Sequence, residues 1–573
     1  MGAGPALRAL DVRDRSPRQG RTLARGRRAL PCVGPDLTTS TQAPLRTDRA
    51  DLLARLAEPG DYDVAVIGGG ATGLGVALDA VTRGLRVVLV EAHDFAKGTS
   101  SRATKLVHGG VRYLEQRNFP LVREALRERQ ILLRNAPHLA QPLAFVVPAY
   151  RFWERPYYGT GLVLYDVLAG KAGLGRTRWL DSRAITARQP GLRTQGLRGG
   201  IEYWDGQFDD ARLAIALART AARAGALLVN HCAAVGLIRE QGRVAGVRCE
   251  DRETGRSYAL RAACVVNAAG IWVDAVRRLD TRVEAAEDTI LFSQGAHVVV
   301  SRDFLPGDRA LLVPRTRDGR VLFALPWMGR TVIGTTDTPR PSQELEPRPL
   351  AEEVDFLLGE AGRYLARAPG AGDVSSAWAG LRPLVRPPGH ASTKDVSREH
   401  VVRVEDDGLV TVAGGKWTTY RAMAQDTVDA CLDAGLLKSA GPCATADHPL
   451  VGAEPGRHSI GDAPGLWGYG SERDAVLALP GADRELGGGL TEAMVRFAAR
   501  HEYARTVEDV LARRSRLLFL DARLARELAN EVGRLLAEET GLDAGAGAFR
   551  ELADSYLRWP ADASSSGTTS FSR

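Results

Sequence analysis

Asp63-Val-Ala-Val-Ile67, followed by Gly68-Gly-Gly-Ala-Thr-Gly73, decides the fold. The first five residues are a short apolar run against a glycine turn, the pattern of a buried strand. Gly68-x-Gly70-x-x-Gly73 then opens Leu74–Arg83, whose apolar residues recur at helical spacing, with Gly84 at the C′ position. Arg86-Val-Val-Leu-Val90 is a second apolar strand and leads into Glu91. Strand, turn, helix and strand within about thirty residues make a βαβ unit. Gly68 permits the tight turn, Gly70 lets the backbone approach a diphosphate, and Gly73 lets helix and strand pack closely. The helix N-terminus offers N–H donors and positive dipole to the same diphosphate. Glu91 lies 21 residues after Gly70, where a carboxylate bonds ribose hydroxyls and repels a 2′-phosphate.

Only one such unit is visible, and later segments read as its continuation around a long ligand. Asp209–Gly225 reads as a helix and Ala226–Asn230 as a strand. Leu237–Val247 and Tyr258–Val266 read as a β-meander joined at Arg252-Glu-Thr-Gly255. Val265-Val-Asn-Ala-Ala-Gly270 is an apolar strand ending in small residues, so Ala269 and Gly270 allow close approach to a cofactor. Gly408–Lys416 is a strand running into Gly414-Gly415, and a helix follows from Thr418 to about Ala434. Its N-terminus can stabilise negative charge on a reduced flavin. Together these segments favour FAD over NAD, with Ala234 counted among the cofactor neighbours.

The expected fold is α/β: a Rossmann-like FAD-binding domain with an inserted antiparallel-sheet substrate domain and a C-terminal helical domain. The FAD-binding domain takes 61–145, 205–285 and 376–440. Segments 146–204 and 286–375, rich in aromatics, Pro and strand-like runs, form the substrate domain. Residues 445–560 are helix-rich, with an amphipathic stretch Leu511–Glu538 carrying Arg on its polar face. Residues 1–60 read as a flexible basic arm and 561–573 as a disordered tail.

Composition excludes several classes. Of 573 residues, 44% are hydrophobic and 25% charged, so the chain buries a large core and is neither collagen-like nor a disulfide scaffold. The formal charge of +7 suggests a nucleic-acid binder. However, the first 50 residues carry ten Arg against four Asp, which leaves the other 523 nearly neutral. The basic excess belongs to the arm, and no nucleic-acid role is expected. That arm resembles a transit peptide in composition, but Pro5, Pro17, Pro31, Pro35 and many Gly oppose an amphipathic helix. The six Cys form no C-x-x-C and no zinc-ligand spacing with His, so free thiols in a reducing compartment and no metal are expected. No apolar run is long enough to span a bilayer.

Thr99-Ser-Ser-Arg-Ala-Thr-Lys-Leu-Val-His-Gly-Gly-Val-Arg-Tyr-Leu-Glu115 resembles FAD-dependent glycerol-3-phosphate dehydrogenase. The resemblance continues through Ala324-Leu-Pro-Trp327, Ile333-Gly-Thr-Thr-Asp337, Ala379-Gly-Leu-Arg-Pro-Leu384 and Gly414-Gly-Lys-Trp-Thr-Thr-Tyr-Arg421. It extends to Thr506–Arg514 and Arg516–Asp521, covering roughly Tyr62 to Glu551. It implies a glutathione-reductase-like FAD fold near the D-amino-acid-oxidase branch. It also implies oxidation of sn-glycerol 3-phosphate to dihydroxyacetone phosphate. The further implications are electron delivery to membrane quinone and peripheral attachment at the cytoplasmic, inner face of the cell membrane, often as a homodimer.

That chemistry needs a phosphate clamp, an alcohol base and a flavin held in line. Arg382 is the leading clamp residue, since a guanidinium fork meets two phosphate oxygens. Arg398 matches a second family arginine, and Arg112 and Tyr113 lie in the segment expected to pass the flavin ring toward substrate. His297 matches a family histidine and is the candidate base, because imidazole titrates near neutral pH. Lys416 is expected beside the flavin, holding reduced-flavin charge or the substrate oxygen. Asp337 is expected to orient a base or a substrate hydroxyl. Ser100, Ser101, Thr104, Lys105 and His108, with Thr418, are expected cofactor contacts. No Cys lies in these motifs, so the FAD should be non-covalent.

The acceptor is the open choice. An apolar Tyr157–Leu168 stretch and the arginine-lined C-terminal helices are candidate bilayer contacts. A glycerol-3-phosphate oxidase using oxygen is the nearest alternative. A nucleotide-binding sensor without turnover would need only Gly68–Glu91, and the clamp arginines and Lys416 argue against it.

Overall fold

In β1 (Tyr62–Ile67) the successive residues Val64–Ile67 are all buried, so neither face meets solvent, and both its edges are paired with parallel strands. Those neighbours are β2 (Val87–Val90) and β10 (Ser257–Asn267). The computed structural model describes residues 43–110, 118–279, 289–386, 399–456 and 458–560. With β7 (Leu227–Val229), β17 (His400–Val404) and β18 (Leu409–Gly414), the first sheet runs in the order β17-β18-β10-β1-β2-β7. All its pairings are parallel except the edge pair β17–β18. Helix α2 (Ala71–Thr82) is buried nearly all round, packed against the helix Tyr420–Asp433. Gly75 makes this possible, since a Cβ there would stand 3.0 Å from the Tyr420 ring.

β10 serves two sheets. Ser257–Arg261 pairs antiparallel with β9 (Arg243–Asp251), and its later residues join β1 and β18. The meander differs from expectation at its start. Leu237–Val247 is not one strand. It is split between β8 (Cys232–Glu240) and β9 by a turn at Gln241-Gly242, both at positive φ (49° and 83°). Gln-Gly is a weaker hairpin signal than Asn-Gly or Asp-Gly, so the run of apolar residues conceals it.

The second sheet lies on the inserted segments. Its order is β15 (Thr338–Arg340), β11 (Ile290–Ser301), β14 (Arg330–Gly334), β13 (Leu322–Trp327), β12 (Ala310–Val313), β4 (Ala140–Ala149), β6 (Gly199–Phe208), β3 (Leu106–Val107). β16 (Ser376–Val385) pairs antiparallel with β11 along ten residues. This corrects the expected domain boundaries. β16, which carries Arg382, belongs to the second sheet and not to the FAD-binding part, and β3 and the ends of β4 and β6 lie beyond the inserted limits. Pro383 lies within β16. It is tolerated because β16 has a strand partner on one side only, so no second ladder needs its N–H.

Residues 49–57, expected within the flexible arm over 1–60, form a helix. Asp48 caps helix α1 (Arg49–Ala57), and buried Arg49 donates to the Asn230 carbonyl and to Asp251. Residues 1–42 and the expected tail lie outside the described residues. Leu511–Glu538 is likewise not a single helix. A π-helical turn, Asp509–Arg514, is followed by Arg516 at φ 66°, a short helix Leu517–Leu520, and Ala522–Thr540 capped by Asp521. Arg523, Arg526 and Arg534 of the last helix are exposed, as an Arg-bearing polar face requires, whereas Arg513, Arg514 and Arg516 before it are buried in ion pairs with Asp94, Asp509 and Asp210. Helical spacing cannot distinguish a solvated arginine from a buried, paired one. This C-terminal part packs its apolar core against Val299, Trp327 and Trp378 of the second sheet. Cys264 and Cys431 place their sulfurs 3.4 Å apart between β10 and the helix behind it. Among the described residues, no helix is long and apolar enough to cross a membrane.

Candidate active site

A cavity of about 1480 Å3 runs from the carboxyl ends of the parallel strands to the face of the second sheet. That exceeds the space one small metabolite needs and suits a dinucleotide with a substrate beside it.

The nucleotide end is built from the first motif. Gly68 sits at φ 111°, and a Cβ there would stand 2.7 Å from the Ala268 carbonyl oxygen. A Cβ on Gly73 would stand 1.9 Å from the Gly68 carbonyl oxygen, so Gly73 serves packing and does not line the cavity. α2 starts at Gly70, and the Ala71 N–H donates to Ser100 Oγ at 2.9 Å. The Glu91 carboxylate accepts from Gly69 N–H (2.6 Å) and His93 N–H (2.8 Å). Burial raises its pKa, while those two N–H groups act to lower it. Each oxygen keeps a lone pair for a ribose hydroxyl. Ala234, Ala269 and Gly270 line the same end. These features fit a dinucleotide: open helix N–H groups, glycines where a Cβ would intrude, and a carboxylate at the second strand's end.

At the other end, Gly414 and Gly415 (φ 77° and 73°) turn β18 toward the cavity and bring Lys416 and Thr418 to its wall. A Cβ on Gly415 would stand 2.4 Å from Met423 Sδ. His108 lines the cavity, and its backbone N–H donates to Thr418 Oγ1 at 3.3 Å.

The second sheet supplies the reactive wall. β11 carries Gly295 and His297 two residues apart, so both point to one face. Arg382 on β16 reaches across Gly295. Its Nη1 is 3.3 Å from Asp337 Oδ1, and its Nη2 donates to Thr335 Oγ1 (3.0 Å) and the Thr336 carbonyl (3.1 Å). Asp337 also accepts from Ser293. Asp337 is therefore a brace for the arginine. His297 Nε2 is 3.0 Å from Thr104 Oγ1, and its Nδ1 has no hydrogen-bond partner among the described residues. Asp337 also lines the cavity, and the contact at the His297 ring edge is the Thr104 hydroxyl. His297 is 2% exposed and stacks on Trp378 with centroids 4.1 Å apart. Burial, then the charges of Lys105 and Arg382, hold its pKa well below the usual histidine value.

Two expected cofactor contacts lie elsewhere. Ser101 is buried, its hydroxyl directed at the Gly98 carbonyl. Lys105 is fully buried beneath the wall, paired with Asp210 at 2.7 Å. The reason is the turn of the chain: Lys105 adopts φ 65°, which sends neighbours Thr104 and Lys105 to opposite sides. Arg112, Tyr113 and Arg398 lie outside the described residues. Sequence reasoning missed Gly295, Thr335 and Trp378. A glycine two residues before His297 on a strand was the available signal.

Comparisons with known proteins agree with this geometry. Residues 63–429 match the family model of FAD dependent oxidoreductases, and 466–546 match the C-terminal domain of alpha-glycerophosphate oxidase. A mitochondrial glycerol-3-phosphate dehydrogenase of Arabidopsis thaliana is 41% identical over 88% of this chain and 86% of its own length. The human mitochondrial glycerol-3-phosphate dehydrogenase is 41% identical over 86% of this chain and 72% of its own. The crystal structure of the Bacillus halodurans glycerol-3-phosphate dehydrogenase, complexed with FAD, superposes with a TM-score of 0.71 at 31% identity. It covers 89% of this chain and 97% of its own. With a dinucleotide cavity, a braced arginine and a buried histidine on its wall, and relatives of this extent, the chain belongs to the FAD-dependent glycerol-3-phosphate dehydrogenases.

Proposed function

We propose that the protein oxidises sn-glycerol 3-phosphate to dihydroxyacetone phosphate and passes the electrons to a membrane quinone. The observation that carries the substrate reading is Arg382, held with its fork over Gly295 beside His297 on one wall. Arg382 binds the phosphate dianion, exchanging some of its present contacts for charge-assisted bonds. That fixes the secondary alcohol near His297, which is neutral because its pKa is depressed and so can take the hydroxyl proton. Thr104 holds the Nε2 edge of the imidazole. Bound FAD, held non-covalently, supplies the hydride acceptor. Lys416 stands on the cavity wall to offset negative charge that develops there.

The quinone reading rests on the helix Glu154–Ala169. Pro156, Tyr158, Gly161 and Leu162 line the cavity, where Phe145 and Phe323 make an apolar end. The same helix leaves Tyr157 (59%), Leu164 (42%) and Val167 (70%) exposed, next to Phe152 at 80%. Exposed Arg151, Lys171, Arg176 and Arg178 lie on the chain just before and after this helix. An exposed apolar helix flanked in sequence by cations suits an anionic bilayer surface, and we place the enzyme there on the cytoplasmic face. On the C-terminal side Arg513, Arg514 and Arg516 are buried, and the exposed Arg523, Arg526 and Arg534 lie on the helix Ala522–Thr540, the second candidate contact.

Anaerobic addition of glycerol 3-phosphate should bleach the purified yellow protein. Quinone-loaded anionic vesicles should then restore the colour faster than oxygen does. Recovery by oxygen alone, with stoichiometric peroxide, would make the protein an oxidase. A colourless folded protein would remove the redox reading.

A further inference from the structure

We propose that Lys105 is a positioning residue for His297, acting through the ring of Trp378 and anchored by Asp210 and Arg516. The proposal rests on reading His297 as the base that takes the substrate hydroxyl proton.

Three layers stack in order. The His297 ring lies on the Trp378 ring, centroids 4.1 Å apart and planes 17° from parallel. The Lys105 ammonium lies on the same indole, Nζ 4.5 Å from its centroid. Two of its N–H groups are committed, to Asp210 Oδ2 (2.7 Å) and the Ser101 carbonyl (2.9 Å). The third has only ring faces around it, with Trp327 at 5.1 Å and Phe519 at 5.4 Å. A cation over an indole face is an attractive contact, strongest where water is excluded. Trp378 is 1% exposed, and its indole N–H has no hydrogen-bond partner among the described residues. A buried tryptophan whose polar handle is unused is in place for its faces, and those faces meet Lys105 and His297.

The anchor comes from the far end of the chain. Arg516 is fully buried and donates to Asp210 Oδ1 at 3.0 Å and to the Ser101 carbonyl at 2.8 Å. It thus fixes both partners of Lys105. Phe519, one turn on, stands 5.3 Å from Trp378. A buried ion pair is a poor source of stability compared with apolar packing, so stability alone does not explain a lysine here. Lys105 also takes a left-handed backbone conformation that side-chain-bearing residues rarely adopt. Such a conformation at the edge of a reactive wall points to a functional constraint.

The arrangement has two consequences for His297. The ring lies flat on Trp378 while Thr104 holds its edge, so its orientation is set before substrate arrives. The cation also opposes protonation of the imidazole. The charged groups around His297 are Arg382 on β16 and Lys105 across Trp378, with Asp209, Asp210 and Arg516 behind Lys105. Burial pulls the Lys105 ammonium down to about 7, against the attraction of Asp210.

The test is the pH dependence of anaerobic flavin reduction in the holoenzyme at saturating glycerol 3-phosphate, where titration of free substrate drops out. Lys105→Gln keeps amide donors toward Asp210 and Ser101 but removes the charge. Its acid limb should move up by about one pH unit, with the plateau rate lowered only several-fold. Lys105→Arg, which keeps the charge, should leave the limb where the wild type has it. Should the glutamine variant not take up flavin, Lys105→Met carries the same expectation, because Asp210 keeps Arg516 as its partner. His297→Asn should abolish the limb. An unmoved limb in the charge-removing variants, with the limb lost in His297→Asn, would overturn the role of Lys105 alone. A limb that persists in His297→Asn would overturn the reading of His297 as base.

Discussion

Replacing Arg382 with Ala tests the phosphate clamp directly. The guanidinium is held by Asp337, Thr335 and two backbone carbonyls, and its side chain is 23% exposed. The fork is therefore pre-organised, and little side-chain entropy remains to be lost when phosphate binds. Two hydrogen bonds to a charged group contribute about 1.5–3 kcal/mol each as upper limits. Discounted for partial exposure and for the contacts exchanged, the clamp amounts to about 3 kcal/mol. At 1.36 kcal/mol per decade that is about 150-fold in kcat/KM. The loss should fall mainly on KM, since phosphate is held alike before and during hydride transfer. Removing the cation also strands the Asp337 carboxylate, which would then repel the phosphate and add to the effect. Arg382→Lys keeps the charge without the fork and should cost roughly tenfold. The decisive comparison uses glycerol, which has no phosphate. Steady-state rates with a dye acceptor should show the preference for glycerol 3-phosphate over glycerol collapsing in Arg382→Ala. Equal losses on both substrates would show that Arg382 supports the wall in general and does not hold the phosphate.

Three other expectations follow from the same wall and core. Gly295→Ala would place a Cβ 2.3 Å from Arg382 Nη2 and 2.7 Å from Thr335 Oγ1. The arginine must swing away, so KM should rise about tenfold with the melting temperature nearly unchanged. Thr104→Val removes the bond to His297 Nε2 and should lower kcat about tenfold, while Thr104→Ser should restore most of it; equal rates in both variants would remove the hydroxyl from the mechanism. His138 is buried beside Arg212 and Arg219, and burial first, then those charges, hold its pKa at about 3. Its folded value lies below the unfolded 6.5, so the unfolded chain binds the extra proton and stability is lost as pH falls below 6.5. At pH 5 that loss is about 2 kcal/mol, and His138→Gln should flatten the fall in melting temperature between pH 7 and 5.

What could be read from the chain and what could not divide along a physical line. The βαβ unit was legible because its signals are local: apolar runs, helical spacing and a fixed glycine spacing at the strand-to-helix turn. Gly68, Gly70, Gly73 and Glu91 each stand where that local logic puts them. The wall of the second sheet was legible only as isolated candidates, because pairing across β11 and β16 brings residues 293–297 and 378–382 together. Strand register, which decides that Arg382 lies over Gly295, is a long-range property set by the whole face. Asp337 shows the consequence. Its type and position suggested work on a base or a substrate hydroxyl, and only the register shows that it also stands against Arg382.

Charge shows the same limit more sharply. The +7 of the whole chain is mostly the first 50 residues, so a near-neutral body seemed to hold few informative cations. The structure contains many buried ones. Arg513 and Arg514 share Asp94, which sits in the loop after Glu91, and Arg516 reaches Asp210 and the Ser101 carbonyl. Each buried arginine needs a carboxylate, and a pair broken on one side costs about 3–5 kcal/mol. The partners therefore fix how the C-terminal helices dock, from below, on the two loops that make the cavity. Net charge cannot register this, because every such pair sums to zero. The cations that shape the site are thus of two kinds. Arg382, with its Asp337 brace, and Lys416 line the cavity, whereas Lys105 and Arg516 are buried against Asp210 and act on the site through the residues they hold.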